Sequence, residues 1–295
     1  MHRFSFLFLM LFSAMAHAGG LKTAHTTSAS TAPPSICGGD PSWVEEQPPV
    51  RVYGNTWHVG PRGLGVILIT APTGDILIDG GVPKDAGLIE RHLRRIGVRL
   101  HDVKWILSSH AHCDHAGGIA QLARDSGAQV IAGTGDVESL ASGGHNDPQF
   151  GDRLLFPPVQ VARIVGDNDV LQLGQLTLTA HATPGHTRGN TTWSWRACER
   201  RRCLAIVFIG SLSAPGYTLK NNPRYPQIIE DYRRSFATVA ALPCDIALAS
   251  HPDMVDFWDR VAKRRKGDAQ ALIDPTLCRA YADAARESFE DALKP

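Results

Sequence analysis

His110-Ala111-His112-Cys113-Asp114-His115 packs four histidine and aspartate side chains into six residues. The stretch follows residues 103–108, a run that is apolar apart from Lys104 until it reaches Ser108, and it leads into helical spacing over residues 115–125, closed by Gly127. In extended backbone, side chains repeat every second residue, so His110 and His112 face the same way. The turn that follows carries Asp114 and His115 round to a second position. Imidazole and carboxylate are ligands that suit zinc, which in catalytic sites takes three protein ligands and keeps a position for water. One short stretch can therefore begin two metal sites, but it cannot complete either.

The missing ligands are sought among the thirteen histidines. His186 stands in Pro184-Gly185-His186-Thr187, a glycine turn after a strand, and His251 in Ser250-His251-Pro252 at the end of the apolar strand 245–249. Both repeat the logic of the first cluster, a histidine at a strand's end where loops gather. His145, in a Gly-rich polar loop, and His181, on a strand, read as surface or packed residues. His58, His92 and His101 read as ordinary surface or hairpin residues.

Around this centre the pattern alternates. Residues 50–59 form a hairpin about Gly54-Asn55; strands at 64–70 and 75–79 are joined by Ala-Pro-Thr-Gly. Helical spacing over 84–96 stops at Gly97. Further strands are expected at 128–132, near Val161, Val170, Leu176, Thr191 and Leu204, and at 245–250, with a helix over 226–242 and two more helical stretches after it. Strands in the middle with helices between them imply an α/β (α+β) arrangement of central sheets covered by helices, in one domain spanning 37–295.

Of the 295 residues, 43% are hydrophobic and 20% charged, as in a soluble globular protein, and the net charge of +1 gives neither a basic footprint for nucleic acid nor an acidic tail. Residues 1–18 read as a signal peptide: a short positive start, an apolar run from Phe4 to Ala16 too short to span a bilayer, and Ala16-His17-Ala18 as cleavage site. Residues 19–36, rich in Ala, Thr and Ser, read as a mobile leader. Export to the periplasm follows as an expectation, with no membrane contact after cleavage. In that compartment the six cysteines tend to pair. Cys198 and Cys203 flank a tight Arg-rich loop and could close it; Cys244 and Cys278 both lie near the C-terminal helices. Cys37 and Cys113 are left over and are not expected to join. Cys113 points away from His110 and His112 and reads as a small buried filler, with metal contact or oxidation as the other reading.

His110-x-His112-x-Asp114-His115, with His186 and His251, resembles the metallo-β-lactamase superfamily over nearly the whole chain beyond the leader. The resemblance implies an αββα sandwich of two mixed sheets flanked by helices, and two Zn2+ per chain: His110, His112 and His186 on the first, Asp114, His115 and His251 on the second. Thioesterase and lactonase relatives carry a metal-bridging aspartate where Ser211 stands here, and the largest β-lactamase subclass has a cysteine there and an arginine in place of His115. Serine at 211 with histidine at 115 is similar to subclass B3. So are Ser211-Leu212-Ser213-Ala214-Pro215-Gly216-Tyr217, Asn222-Pro223-Arg224-Tyr225-Pro226, Asp231-Tyr232-Arg233-Arg234-Ser235-Phe236 and Leu242-Pro243-Cys244-Asp245, with Cys278 about where that subclass places a disulfide partner. The activity implied is hydrolysis of the β-lactam amide of penicillins, cephalosporins or carbapenems by a zinc-held hydroxide. Asp114 would orient that hydroxide and take its proton, Ser211 and Ser213 would bind the drug's carboxylate, and Tyr217 would face the developing oxyanion. A small-molecule substrate and a monomer are expected. The rival readings are a lactonase or thioesterase on the same fold, or an exported zinc binder without turnover.

Overall fold

Alternation along the strands explains how the layers assemble. In β3 (Ile67–Ile69), β4 (Asp75–Ile78) and β5 (Val103–Leu107) nearly every side chain is buried, as expected for strands covered on both faces. Ile67, Ile69, Ile76, Ile78 and Leu107 turn inward to Trp193, Trp195, Ile206 and Phe208 of the other sheet. Leu68, Leu77 and Ile106 turn outward to Ile89, Leu93, Ile119 and Leu122 on the covering helices. The computed structural model describes residues 37 and 39–294. The signal peptide (1–18) and the leader (19–36) expected from the sequence lie outside the described residues.

The first sheet continues β3–β5 with β1 (Val50–Tyr53), β2 (Thr56–His58), β6 (Gln129–Gly133) and β7 (Val161–Val165), in the order β1-β2-β3-β4-β5-β6-β7. It is antiparallel from β1 to β4 and parallel from β4 to β7. The second contains β8 (Val170–Leu173), β9 (Leu176–Ala182), β10 (Thr191–Glu199), β11 (Arg202–Ile209) and β12 (Ile246–Ala249), in the order β12-β11-β10-β9-β8, with only β11 and β12 parallel. On the outer side of the first sheet lie α1 (Ala86–Arg95) and α3 (Ile119–Ser126). The second is flanked by α5 (Ile228–Ala241) and α7 (Leu277–Ala292), which meet through Tyr232, Phe236 and Phe289 with ring centroids 4.7 and 5.5 Å apart. This is the αββα sandwich of two mixed sheets.

The helix expected over 115–125 is two pieces. α2 (Cys113–Ala116) ends at Gly117, and α3 begins only after Gly118. A Cβ on Gly118 would lie 2.2 Å from the Gly80 carbonyl, so the break lets the chain press on the turn after β4, where Gly80 N–H donates to His115 O at 2.8 Å. A short helix, α4 (Val137–Ser142), was not anticipated; with Leu140 as its one buried side chain it leaves no periodic signal. α6 (Phe257–Arg265) and α7 supply the two late helical stretches.

All six cysteines pair. Cys198–Cys203 closes the β10–β11 hairpin and Cys244–Cys278 ties the approach to β12 to α7. Cys37 and Cys113 do join, against expectation. Cys113 faces away from the histidines, as period two requires, and is 1% exposed in the helical layer where residue 37 arrives. It is a tether rather than a filler.

Two histidines read as surface residues are core. His92 is buried, its Nδ1 2.8 Å from Val59 O. His58 is buried beside Phe257 and Trp258, ring centroids 5.2 and 5.1 Å away, with Nε2 3.1 Å from Leu64 O. Burial pushes His58 down to about 4. Because its folded pKa lies below the unfolded value, its neutral form stabilises the fold above about pH 6.5, and that contribution is lost as pH falls towards 4. From pH 7 to pH 5 the loss from this group is about 2 kcal/mol. Urea unfolding at the two pH values is expected to show a correspondingly smaller drop for His58→Gln than for the unsubstituted protein.

Candidate metal centre

The strands bring the six suspected ligands to one end of the sandwich. His110 and His112 lie on the loop leaving β5, Asp114 and His115 on α2, His186 on the loop after β9, and His251 just past β12. Backbone bonds tie these loops together: Thr191 N–H donates to Ser109 O at 2.8 Å and Gly65 N–H to Ser250 O at 2.7 Å.

Ligand atoms of His110, His112 and His186 all lie within 4.8 Å of one another, as do those of His110, Asp114 and His115. His112 Nδ1 is 3.0 Å from His186 Nε2. Two nitrogens on one tetrahedral zinc keep roughly 3.4 Å, given Zn–N distances of about 2.0–2.1 Å. His115 Nε2 is 3.2 Å from His251 Nε2 and 3.0 Å from Asp114 Oδ2, and His251 Nε2 is 3.4 Å from the same oxygen. His110 Nε2 is buried without a hydrogen-bond partner.

The far nitrogens of His110, His186 and His251 are hydrogen-bonded to an oxygen, and those of His112 and His115 have a carboxylate oxygen farther off. His110 Nδ1 is 3.0 Å from Ser109 Oγ, His112 Nε2 3.4 Å from Asp147 Oδ2 and His115 Nδ1 3.8 Å from Asp79 Oδ2. His186 Nδ1 is 2.8 Å from Ser213 O, and His251 Nδ1 3.3 Å from Gly63 O. An outer hydrogen bond such as His110, His186 and His251 make fixes ring orientation and raises basicity in metal-ligating histidine. Five rings thus present lone pairs to a common space with one carboxylate, a donor set that fits zinc.

The electrostatics agree. Burial, then the neighbouring imidazoles, push His110 well below its ordinary range, so it stays neutral with a lone pair to give. Burial does the same to His186. For His112 burial is outweighed by Asp147, and the net direction is upward. Burial would raise Asp114, but His115 and His251 hold it well below the usual carboxylate range, so it is ionised.

Ser211 and Ser213 stand beside this group, their Oγ atoms 3.0 Å apart. Ser211 is buried and fixed by Asn190, whose Oδ1 accepts from Ser211 N–H at 2.8 Å; Ser213 is half-buried. Tyr217 stacks on His186, and its hydroxyl donates to His186 O at 3.1 Å, behind the ligand. His181 is packed on β9 with Nε2 2.8 Å from Ser194 Oγ, and His145 is exposed beside Asp152, so neither enters the centre. Sequence reasoning passed over Asp79 and Asp147. Asp79 had a signal, since an aspartate before Gly80-Gly81 at a strand's end marks a special backbone, here φ 63°. Asp147 had none beyond its polar loop. Size does not locate the centre: a groove of about 1180 Å3, lined by Arg51, Arg200, Arg202, Arg264 and Arg265 among others, opens by the β10–β11 turn and touches none of the six residues.

Residues 60–251 match the family model described as the metallo-beta-lactamase superfamily. The chain belongs to the metallo-beta-lactamase superfamily. Among solved structures it resembles the Rm3 metallo-beta-lactamase, with 41% identity and a TM-score of 0.83 over 88% of this chain and 97% of that one. It resembles MEM-A1, a subclass B3 metallo-beta-lactamase from a soil metagenome library, with 44% identity and a TM-score of 0.80 over 85% of this chain and all of that one. A hydroxyacylglutathione hydrolase of Anaeromyxobacter dehalogenans is 36% identical over 129 residues, which are 43% of this chain and 40% of that protein. The chain is thus a member of a metallo-hydrolase superfamily with a histidine-rich metal-binding group and disulfides.

The outer shell gives a test. Asp147→Asn is expected to weaken zinc binding ten- to hundredfold, read by competition with a chromophoric chelator, because His112 loses the carboxylate that orients it.

Proposed function

We propose that the protein is a two-zinc β-lactamase of subclass B3 type. His110, His112 and His186 hold the first ion, and Asp114, His115 and His251 the second. The observation that carries this reading is the convergence of five imidazoles and one ionised carboxylate, with a buried serine at position 211 rather than another ligand. Zinc bound there supplies a Lewis acid for a carbonyl oxygen and a water acidified to a pKa of about 7.

The chain's own residues do the rest. Asp114, held ionised by two imidazoles, would accept a hydrogen bond from the attacking water at Oδ and orient it. The half-buried Ser213 hydroxyl, set against Ser211 Oγ, donates to a substrate carboxylate. Tyr217 buttresses His186 from behind, a role its hydroxyl contact supports better than a direct approach to the oxyanion. No serine acts as nucleophile, so no covalent intermediate accumulates. Three paired disulfides favour an oxidising compartment, in keeping with export to the periplasm, and no helix among the described residues is long and apolar enough to cross a membrane.

The likeness to a hydroxyacylglutathione hydrolase makes thioester cleavage the second reading. Purified protein assayed against a carbapenem, a hydroxyacylglutathione thioester and an N-acyl homoserine lactone separates them. Carbapenem turnover that a chelator abolishes and added zinc restores is expected. Turnover of the thioester alone would transfer the function to the second reading.

A further inference from the structure

Asp136 is not a ligand in the reading above, yet it reaches both loops that carry the first group of histidines. It lies in the turn between β6 and α4, 2% exposed. Its Oδ2 accepts from Ala111 N–H at 2.9 Å and from the Thr187 hydroxyl at 2.7 Å; its Oδ1 accepts from Gly189 N–H at 2.8 Å. Ala111 sits between His110 and His112, and Thr187 follows His186. One carboxylate therefore grips the backbone of the first loop and two points of the second.

The packing around it is equally specific. A Cβ on Gly189 would stand 2.2 Å from Asp136 N, and one on Gly135 2.3 Å from Arg188 O, so the turn and the His186 loop touch backbone to backbone. All three partners of Asp136 are neutral donors. Burying a carboxylate against them is costly unless every bond is made. A neutral amide or an alanine would fill the local space at lower desolvation cost if filling were the only requirement. The hydrogen-bond pattern asks for an acceptor at both oxygens.

We propose that Asp136 is a positioning residue for the metal centre: its carboxylate staples the His110–His112 loop to the His186 loop and so sets the separation of those three imidazoles. The inference rests on the two-zinc reading and adds a prediction of selectivity, because Asp136 contacts neither Asp114, His115 nor His251. Loss of the staple loosens the first zinc site and leaves the second in place.

The test uses the purified protein, stripped of metal and titrated with zinc against a chromophoric chelator, then with Co2+ read by its visible absorption. In Asp136→Asn the amide nitrogen turns a donor towards a donor, and one of the two zinc-binding steps is expected to weaken ten- to hundredfold, with an altered Co2+ spectrum and the other step unchanged. Thr187→Val, which removes a single donor, is expected to weaken the same step about three- to tenfold. If Asp136→Asn melts at a lower temperature but binds both zincs and Co2+ as the unsubstituted protein does, the role is packing alone and the proposal is overturned. Should that variant not fold, unchanged zinc binding in Thr187→Val overturns it equally. An unsubstituted protein that takes up no zinc would defeat the two-zinc reading, and this inference with it.

Discussion

Five imidazoles and a carboxylate crowded at the end of two sheets, with ligand atoms 3.0–3.4 Å from one another, form the constraint that the surrounding structure serves. Crowding of this kind is unfavourable for the chain alone. A buried polar atom left without a partner costs about 1–3 kcal/mol, and His110 Nε2 is one such atom. Protonation offers no escape for His110 and His186, because burial and neighbouring rings disfavour their charged forms. Divalent cations bound there would satisfy these lone pairs and turn a costly cluster into a folding contribution. The outer oxygens of Ser109, Ser213 and Gly63 keep the rings of His110, His186 and His251 aimed inward.

The rest of the fold delivers that cluster. β5, β9, β11 and β12 end together and release their loops at one end of the sandwich. Gly118 lets α2 press against the turn after β4. The Cys37–Cys113 disulfide then fixes α2 from the side opposite the ligands, between His112 and Asp114 in sequence.

Much of this was legible in the chain. Apolar runs gave the buried strands, and histidines at their ends gave the centre, because a ligand's position at a strand terminus is a local property. The six residues were brought together as expected, and Ser211 and Ser213 stand beside them. What escaped depends on partners distant in sequence. His58 looks like a hairpin residue until Phe257 and Trp258, about two hundred positions later, close over it. Asp136 looks like a turn residue until the loop after β9 meets it. Cysteine pairing is non-local in the same way, so Cys113 could be aimed from period two, but its joining to Cys37 could not. Membership of the superfamily fixes fold and metal chemistry more firmly than substrate, since function resides in the site rather than the fold. Here the substrate reading turns on a few side chains beside the candidate metal centre, with Ser211 foremost.

The central claim is that these residues hold two ions at once, and anomalous diffraction at the zinc edge from crystals of the purified protein tests it most directly. The account predicts two peaks, one among His110 Nε2, His112 Nδ1 and His186 Nε2 and the other among Asp114, His115 and His251, each about 2 Å from its ligand atoms. No peak in this space, or a lone ion bound elsewhere, would contradict it.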